Sequence, residues 1–396
     1  MKKKKDKGEA PAGAGRFLWV FWTCLVLGGI LFSVESPLSE LYRAGELRLE
    51  QDLVLDDRSM PEGLFFDDPS MVFCDPEGCI YVVDSGALNI KKFDHRGEFL
   101  RIIGREGQGP GEFGGLYYAT FAKDRLVAWD SGNRRLCTFS PDGEFIHSIY
   151  VPYEEGWIRK LRGLPTGEVV VEMEKSYRQQ PERPQECTIL LYTSGLKLIK
   201  TIYERPLWRK KYVRTKEYCV STLYLPFSPD VRWEVTPEGR MVIGFSARYA
   251  LEVFDRHGNK MAGIAHEHEP ARVTDRDKKA YFDRLEFYRM GEKLKDLPDY
   301  VTKLTQFPKN KPAYKQVLVD GEGNIWVVLN KEKQDELGMV FDAFTADGEF
   351  ISRVKIPEDV RFPQNRHHVI LHGRSLLLLR AGEDGLYRVI RYGISS

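Results

Sequence analysis

The feature that most constrains this chain is an internal repeat with a period of 46 residues. Asp84-Ser85-Gly86 recurs as Asp130-Ser131-Gly132, and Gly97 of a later turn recurs as Gly143. Between these points the sequence alternates short β-forming runs with turns that contain glycine. One such unit cannot bury its apolar face alone, so consecutive copies have to pack against one another.

Six copies of the unit can be traced. The two clearest cover residues 72–104 and 118–151, and the weaker ones cover 164–203, 231–265, 316–356 and 368–394. A period near 46 residues suits a four-stranded propeller blade. The last copy lacks an outermost strand, whereas apolar residues alternate in 46–55, upstream of the first copy. We predict an all-β, six-bladed β-propeller, in which this early strand completes the last blade and closes the ring.

The sequence of the first two copies resembles NHL repeats. The resemblance is carried by IYVVDSGALNIKKFDHRGEFLRIIGREGQGPGEF (80–113) and by LVAWDSGNRRLCTFSPDGEF (126–145). It implies the NHL-like six-bladed propeller superfamily, and within it the bacterial exported proteins described as 6-bladed β-propellers. Copies three to five lack the Asp-Ser-Gly corner. The superfamily includes binding proteins, lyases and lactone hydrolases, so the resemblance implies a fold and leaves the chemistry open.

A basic head and an apolar run precede the repeats. Residues 1–16 contain six basic and two acidic residues, and 17–34 contain eighteen residues without a charge. A helix of that length spans about 27 Å, nearly the hydrocarbon core of a bilayer. We predict a cytoplasmic head, a single-pass transmembrane signal anchor, a linker over 35–45, and a propeller over 46–396 on the periplasmic side of the cytoplasmic membrane. A cleaved signal peptide is the alternative, although the small-residue cleavage pattern is missing before Glu35.

One segment interrupts the β pattern. In residues 274–307, Thr274 and Asp277 have the spacing of a capping box, and Pro298 stands where a second helix could begin. We predict a short helical insert of two helices that packs over one face of the propeller. It either covers apolar surface as a lid or serves partner docking or substrate gating.

Cys74 and Cys79 flank the turn formed by residues 75–78. If this turn closes a hairpin with the two cysteines opposite each other, their Cβ atoms lie within disulfide reach. A disulfide is therefore one interpretation of the pair. Zinc is disfavoured, because no second Cys or His pair follows at a matching spacing.

Two sets of residues are candidate binding sites. The first set marks where the inner strands should begin, at the mouth of the central channel, and its positive charges favour an anionic ligand there. It consists of Tyr118, Arg159, Arg232, Lys315 and His367. The second set belongs to a basic, aromatic segment over 204–218, which is either a solvated loop between blades or a contact for another envelope protein. Its candidate partner-binding residues are Trp208, Arg209, Lys210, Lys211 and Tyr212.

Other functional signatures are weak. The formal net charge is +1, which provides no field for nucleic acid. The Gly-rich run 109–114 contains Pro110 and lies between β segments, so it does not predict a dinucleotide site. Asp84 and Asp130 are interpreted as caps of their own turns. We predict no catalytic residue, no metal and no cofactor.

The expected function is a membrane-tethered, non-catalytic propeller that acts as a scaffold for a protein or a ligand. The alternative is a metal-dependent enzyme of the propeller lyase or lactone-hydrolase type, so whether the chain is an enzyme stays open. That alternative requires several acidic or amide residues on inner strands, where the sequence offers Glu234 and little else.

Overall fold

The computed structural model describes residues 37–177, 180, 182–213, 221–285, 288–289, 292–293, 296–330, 339–356, 360 and 368–395. The predicted head and transmembrane anchor (1–34) lie outside these residues, as does His367. Within the described ranges, no helix combines the length and the apolar character that a membrane span requires.

Six antiparallel four-stranded sheets form the six blades of a β-propeller, and β1 (Arg48–Leu55) belongs to the last of them. The strands of the first three blades are β2 (Pro69–Cys74), β3 (Ile80–Asp84), β4 (Asn89–Phe93) and β5 (Phe99–Ile103), then β6 (Leu116–Ala122), β7 (Arg125–Asp130), β8 (Arg135–Phe139) and β9 (Phe145–Tyr150), then β10 (Trp157–Gly163), β11 (Val169–Lys175), β12 (Gln185–Tyr192) and β13 (Leu198–Leu207). A separate hairpin of β14 (Lys210–Val213) and β15 (Ser221–Tyr224) follows the third blade.

The second half of the chain repeats this arrangement. The fourth blade consists of β16 (Val231–Val235), β17 (Met241–Phe245), β18 (Ala250–Phe254) and β19 (Lys260–Ala265), and a small hairpin of β20 (Tyr288–Arg289) and β21 (Glu292–Lys293) follows it. The fifth blade consists of β22 (Tyr314–Val319), β23 (Ile325–Leu329), β24 (Met339–Phe344) and β25 (Phe350–Ile356). The sixth blade consists of β26 (Val369–His372), β27 (Ser375–Ala381) and β28 (Tyr387–Ser395) together with β1.

The ring closes as predicted. β1 pairs antiparallel with β28, from Arg48 opposite Ser395 to Leu55 opposite Val389. Leu47 and Leu55 are buried. The early strand therefore supplies the outermost strand of the sixth blade, and the first and last blades are joined by backbone hydrogen bonds.

Part of the predicted linker is core. Residues 38–43 form a helix, α1 (Leu38–Arg43), and both Leu38 and Tyr42 are fully buried in the cluster that contains Trp326. The Tyr42 hydroxyl donates a hydrogen bond of 2.5 Å to Oδ2 of Asp320. Leu38 and Tyr42 lie four positions apart and share one helix face, which packs against the fifth and sixth blades. The predicted linker 35–45 is corrected accordingly.

The helical insert is confirmed between the fourth and fifth blades. α2 (Asp275–Asp283) begins with a capping box of Thr274 and Asp277, and α3 (Asp299–Leu304) follows Pro298. The Tyr281 hydroxyl donates to the carbonyl of Tyr224 in β15 at 2.6 Å. The insert thus contacts the hairpin beside the third blade. Whether it acts as a lid or a docking element stays a prediction.

The Asp-Ser-Gly corners have the structural role that the sequence indicated. Asp84 accepts from the amide of Ala87 at 3.3 Å, and Asp130 accepts from the amide of Asn133 at 3.1 Å. Each carboxylate also receives a basic side chain, because Lys91 pairs with Asp84 and Arg135 with Asp130. These aspartates hold the turns of the first two blades.

Candidate functional site

The inner strands of the six blades surround a central channel. They are joined laterally by side chains and backbone groups, for example from the amide of Gly163 to Oγ1 of Thr120 at 2.8 Å. Near the last residues of these strands, the amide of Gly321 donates to the carbonyl of Gly373 at 3.1 Å. All six strands run in one direction, so the channel has a strand-start end and a strand-finish end.

Among the described residues, four β-bulges lie at the strand-start end. The strand register shifts at one residue in each of the inner strands of blades one, two, three and five. A bulge leaves one residue unpaired and changes the direction of its side chain. The bulge residues are Ser70, Tyr117, Arg159 and Lys315. Two predicted anion-binding residues, Arg159 and Lys315, therefore occupy positions that simple strand alternation does not describe.

Arg232 and Tyr118, which were also predicted at the channel mouth, lie at this end as well. Arg232 donates from Nε to the carbonyl of Lys315 at 2.7 Å and forms an ion pair with Asp230. Tyr118 is half-buried, and its ring centroid is 6.4 Å from that of Tyr117. The structure thus brings Arg232 and Lys315 together and gives Arg232 a carboxylate partner of its own.

The predicted partner-binding segment contributes to a buried ion cluster, defined by Arg209, Lys210, Glu172, Glu174 and Asp230. Arg209 donates to Asp230 at 2.6 Å, to Glu174 at 2.7 Å and to Glu172 at 3.2 Å. Burial opposes ionisation of Glu174, but the nearby charge of Arg209 and the Lys210 hydrogen bond outweigh it and lower the pKa of this carboxyl.

The cluster decides which of those residues can meet a partner. Arg209 is only 12% exposed, and Tyr212 is buried as well. For these two residues the partner-binding prediction is corrected, because the ion cluster and the β14–β15 hairpin use them internally. Lys210 is bound to Glu174 at 2.6 Å. Trp208 is exposed and Lys211 half-buried, so the prediction of a contact rests on them.

A cavity of about 530 Å³ opens at the strand-finish end, where every blade contributes the end of its inner strand and the turn that follows. Its wall is largely apolar and includes Phe73, Phe121, Val235, Leu318 and Leu371. The polar groups on the wall come from different blades, among them Lys123, Arg162, Glu234 and His372.

Arg162 and Glu234 form the charged centre of that wall. The guanidinium binds Glu234 through two hydrogen bonds, of 2.5 Å from Nε and 2.9 Å from Nη2, and Lys160 donates to the same carboxylate at 3.1 Å. Burial opposes ionisation of Glu234, but the charges of Arg162 and Lys160 outweigh it and lower the pKa of this carboxyl to about 2. Two cations therefore share one carboxylate.

Two further carboxylates on the wall, Asp75 and Asp320, are used by the turns that contain them. Asp75 accepts from the amide of Cys79 at 2.8 Å and from the hydroxyl of Tyr81 at 3.0 Å. Asp320 accepts from the amide of Asn324 at 2.9 Å, besides its bond from Tyr42. Burial raises the pKa of Asp320.

His372 ends the inner strand of the sixth blade and lines the same cavity. Burial lowers the pKa of its imidazole, so the neutral form prevails near neutral pH. A neutral imidazole has one donor and one acceptor nitrogen. His372 can therefore offer a ligand a hydrogen bond but no charge.

The cysteine hairpin forms, but with a different register from the one that a disulfide requires. Cys74 pairs with Ile80, while Asp75 donates its amide to the carbonyl of Cys79 at 3.1 Å. Both cysteines are free thiols in the structure. The disulfide interpretation assumed that the two residues face each other, and the turn places Cys79 one position off.

Metal ligation finds no support in the geometry of the described part of the chain, where no group of three or more His, Cys, Asp or Glu is placed to hold an ion. The imidazole of His266 stacks on Phe350 with ring centroids 4.4 Å apart.

Sequence reasoning chose the strand-start end and missed Lys123, Arg162 and His372. A usable signal was present, because turns such as Asp75-Pro76-Glu77-Gly78 and Thr236-Pro237-Glu238-Gly239 mark where inner strands finish. The residues just before such turns have to reach the strand-finish end. Applied to each copy, this rule points to Arg162 and Glu234.

Comparison with known proteins agrees with the fold. The family DUF5128, described as a 6-bladed beta-propeller, matches residues 68–158, close to the range in which the NHL resemblance is strongest. Together with the six observed blades, this match confirms the predicted six-bladed β-propeller. No curated protein matches the chain.

Solved structures show the same architecture at low identity. A DUF4221 family member from Bacteroides vulgatus is 13% identical with a TM-score of 0.53, covering 89% of this chain and 99% of that one. A candidate exported protein from Bacteroides fragilis is 11% identical with a TM-score of 0.49, covering 89% and 95%. Virginiamycin B lyase from Staphylococcus aureus is 8% identical with a TM-score of 0.40, covering 88% and 99%. The first of these likenesses concerns the fold alone, and the other two are too distant to support an argument.

Proposed function

We propose that this six-bladed β-propeller is a non-catalytic binding protein that takes a small ligand into the cavity at the strand-finish end of its channel. One observation carries the proposal: all six blades together line an open cavity of about 530 Å³ at this end. Cavities of a few hundred Å³ with apolar walls and a few polar groups are typical of small-molecule sites.

The rigidity of the wall supports binding. Its side chains stand on inner strands whose neighbours are fixed by sheet hydrogen bonds, and its turns are capped by Asp75 and Asp320. A site that is already formed loses little conformational entropy when a ligand binds. The cavity would therefore act as a receptor with little rearrangement.

We also propose that the propeller is tethered to the cytoplasmic membrane and lies on its outer side. The support is the basic head over 1–16 followed by eighteen uncharged residues, an arrangement typical of a signal anchor. A contact with another envelope protein through Trp208, Lys211 or the helical insert remains part of this proposal.

Blocking the cavity tests the binding function. Val235 is half-buried on the cavity wall, so V235W should fill the cavity, whereas M261W on an exposed outer strand serves as the matched control. We expect fluorinated fragments to show broadened fluorine NMR lines with the wild-type full chain and with M261W, but not with V235W. Equal broadening with all three proteins would overturn the proposal.

A topology reporter tests the tether. A fusion of alkaline phosphatase after Ser396 should be active in bacterial cells. The fusion protein should sediment with the membrane fraction, and its mass should be that of the uncleaved chain plus the phosphatase. An inactive fusion would contradict the outer location, and an active fusion released as a shortened, soluble chain would contradict the tether.

Melting curves with added cations test the enzyme alternative. Any ligand that binds only the native state raises the melting temperature. We expect calcium, magnesium, manganese and zinc to leave it unchanged relative to EDTA. A saturable rise with one of them would favour the metal-dependent alternative.

A further inference from the structure

The carboxylates on the cavity wall have little capacity left for a ligand. Asp320 accepts four hydrogen bonds, from the hydroxyl of Tyr42, the amides of Glu322 and Asn324, and the side chain of Asn324. Both oxygens of Asp75 accept a protein donor. Both oxygens of Glu234 face Arg162. A cationic ligand would have to compete with these bonds.

Arg162 is in the opposite situation. A guanidinium carries five N–H groups. Within the described part of the chain, Arg162 uses three of them: two toward Glu234, and one from Nη1 to the carbonyl of Leu161 at 2.9 Å. One N–H therefore remains on each terminal nitrogen. Two N–H groups of one guanidinium suit the two oxygens of a carboxylate.

A second cation stands on the neighbouring blade. Lys123 lies in the turn after β6, is exposed at the rim of the cavity, and forms no hydrogen bond or ion pair with the residues that the structure describes. Because the lysine side chain is long and flexible, its ammonium can reach an anion at the rim. Blades two and three therefore present positive charge to the cavity. The carboxylates of blades one and five accept hydrogen bonds from the protein, and Glu234 of blade four is shared by Arg162 and Lys160.

Much of the wall is apolar. Phe73, Phe121, Val235, Leu318 and Leu371 come from five blades and line the cavity together. Burial of a ligand's apolar body against such a wall is favourable by roughly 25 cal/mol per Å². A fully hydrated inorganic ion would not gain from this surface.

We propose that the ligand of the cavity is an organic anion with an apolar body and a carboxylate or a similar oxyanion. The oxyanion is bound by the two remaining N–H groups of Arg162, Lys123 attracts it at the rim, and the apolar body lies against the aromatic and aliphatic wall. Glu234 and Lys160 hold the Arg162 guanidinium in place and are positioning residues. This inference rests on the proposed binding function and names its ligand class.

Three matched probes test the charge of the ligand. Para-fluorobenzoate, para-fluorobenzyl alcohol and para-fluorobenzylamine share one fluorinated ring and differ in charge. With the full chain in zwitterionic lipid nanodiscs, and empty nanodiscs as background, fluorine NMR titrations give the affinity of each. We expect the benzoate to bind about tenfold more tightly than the alcohol, since one charge-assisted hydrogen bond contributes about that factor, and the amine to bind most weakly.

Variants locate the effect. R162Q keeps the pair between Lys160 and Glu234 and should reduce benzoate affinity about tenfold without affecting the alcohol. Lys123 is exposed, so K123N should fold normally and reduce benzoate affinity by a smaller factor. R248M removes an exposed arginine away from the cavity and serves as the control. If R162Q does not fold, two other measurements test the anion inference: K123N should bind benzoate more weakly than the wild type, and added salt should weaken benzoate binding to the wild type.

The outcomes separate the two proposals. The binding function stands if V235W abolishes binding of all three probes. In that case the anion inference is still overturned by either of two results: the wild type binds the alcohol as tightly as the benzoate, or R162Q binds the benzoate as tightly as the wild type does. If no probe distinguishes V235W from the wild type, the cavity is not a ligand site and both proposals fail. Loss of benzoate selectivity in R162Q and K123N, with R248M unchanged, supports the inference.

Discussion

The two ends of the channel use similar residues for different purposes. On the strand-start side, beside Asp230 at the beginning of β16, Arg209 is surrounded by Glu172, Glu174 and Asp230, and its side chain is only 12% exposed. At the strand-finish end, Arg162 shares the single carboxylate of Glu234 with Lys160 and borders an open cavity. A cation that is fully surrounded by carboxylates stabilises the fold, whereas one with hydrogen-bonding capacity left can bind a ligand. Counting charges along the sequence does not distinguish the two.

Removing the central arginine of the ion cluster should have the largest effect. R209M leaves Glu172 and Glu174 buried without their main partner, which costs about 3–5 kcal/mol in comparable buried pairs. Urea denaturation of the full chain, followed by tryptophan fluorescence, measures the loss. R248M replaces an exposed arginine whose side chain forms no hydrogen bond or ion pair with the described residues, so it should cost less than about 0.5 kcal/mol. Equal losses in the two variants would show that the ion cluster is not structural.

Because of Glu234, the free energy of unfolding should depend on pH in the acid range. The folded pKa of Glu234 is about 2 against an ordinary value of 4.5, so its contribution is fully present above about 4.5 and is lost as the pH falls toward 2. Near neutral pH the shift corresponds to about 3 kcal/mol. E234Q should therefore be less stable than the wild type at neutral pH, and the difference should shrink in acid. A difference that is independent of pH in urea denaturation would refute the ionic role.

The Y42F variant tests whether the carboxylate of Asp320 is used by hydrogen bonds within the protein and not by a ligand. Y42F removes the hydroxyl that donates to Asp320, and the loss of a buried hydrogen bond of this kind costs about 1–3 kcal/mol. Y392F, in the same hydrophobic cluster, is the matched control and should be nearly neutral. The affinity for para-fluorobenzoate should not change in Y42F. A changed affinity would mean that Asp320 takes part in binding.

The smallest effect on stability is expected at Lys123. Its φ of 55° lies in the left-handed region, which asparagine tolerates, and its side chain is exposed. K123N should therefore keep the free energy of unfolding within about 0.5 kcal/mol of the wild type while weakening benzoate binding. K197N, on another exposed turn, should change neither quantity. A large loss of stability in K123N would show that Lys123 stabilises the fold, as Arg209 does.

Much of the fold could be predicted because the information is local. Turn residues such as Asp84 and Gly97 recur with the repeat, and each shapes its turn through contacts within a few positions. The alternating leucines of 46–55 predicted β1, because a strand with one apolar face needs a sheet. The capping box at Thr274 predicted the start of α2 by the same local logic.

The site was harder to predict because it depends on register. The bulge in β10, between Ile158 and Lys160, shifts the side-chain alternation of an inner strand. Arg159 consequently occupies the bulge, while Arg162 reaches the cavity near the strand's end. The extension of α1 into the core was missed for a related reason, since a six-residue helix has almost no periodic signal of its own.

The sequence by itself determined the number of blades, the strand that closes the ring and the turns between strands, because these follow from repeated local chemistry and from one apolar face per strand. Only the tertiary structure decided which charges are neutralised and which stay available. Arg162 meets Glu234 across 72 positions of the chain, and Arg209 meets Glu172 across 37. The first pair joins the inner strands of two blades, and the second joins the third blade to the segment that follows it. Such pairs form only when the chain folds, and the partner of a charge determines whether it stabilises the fold or binds a ligand.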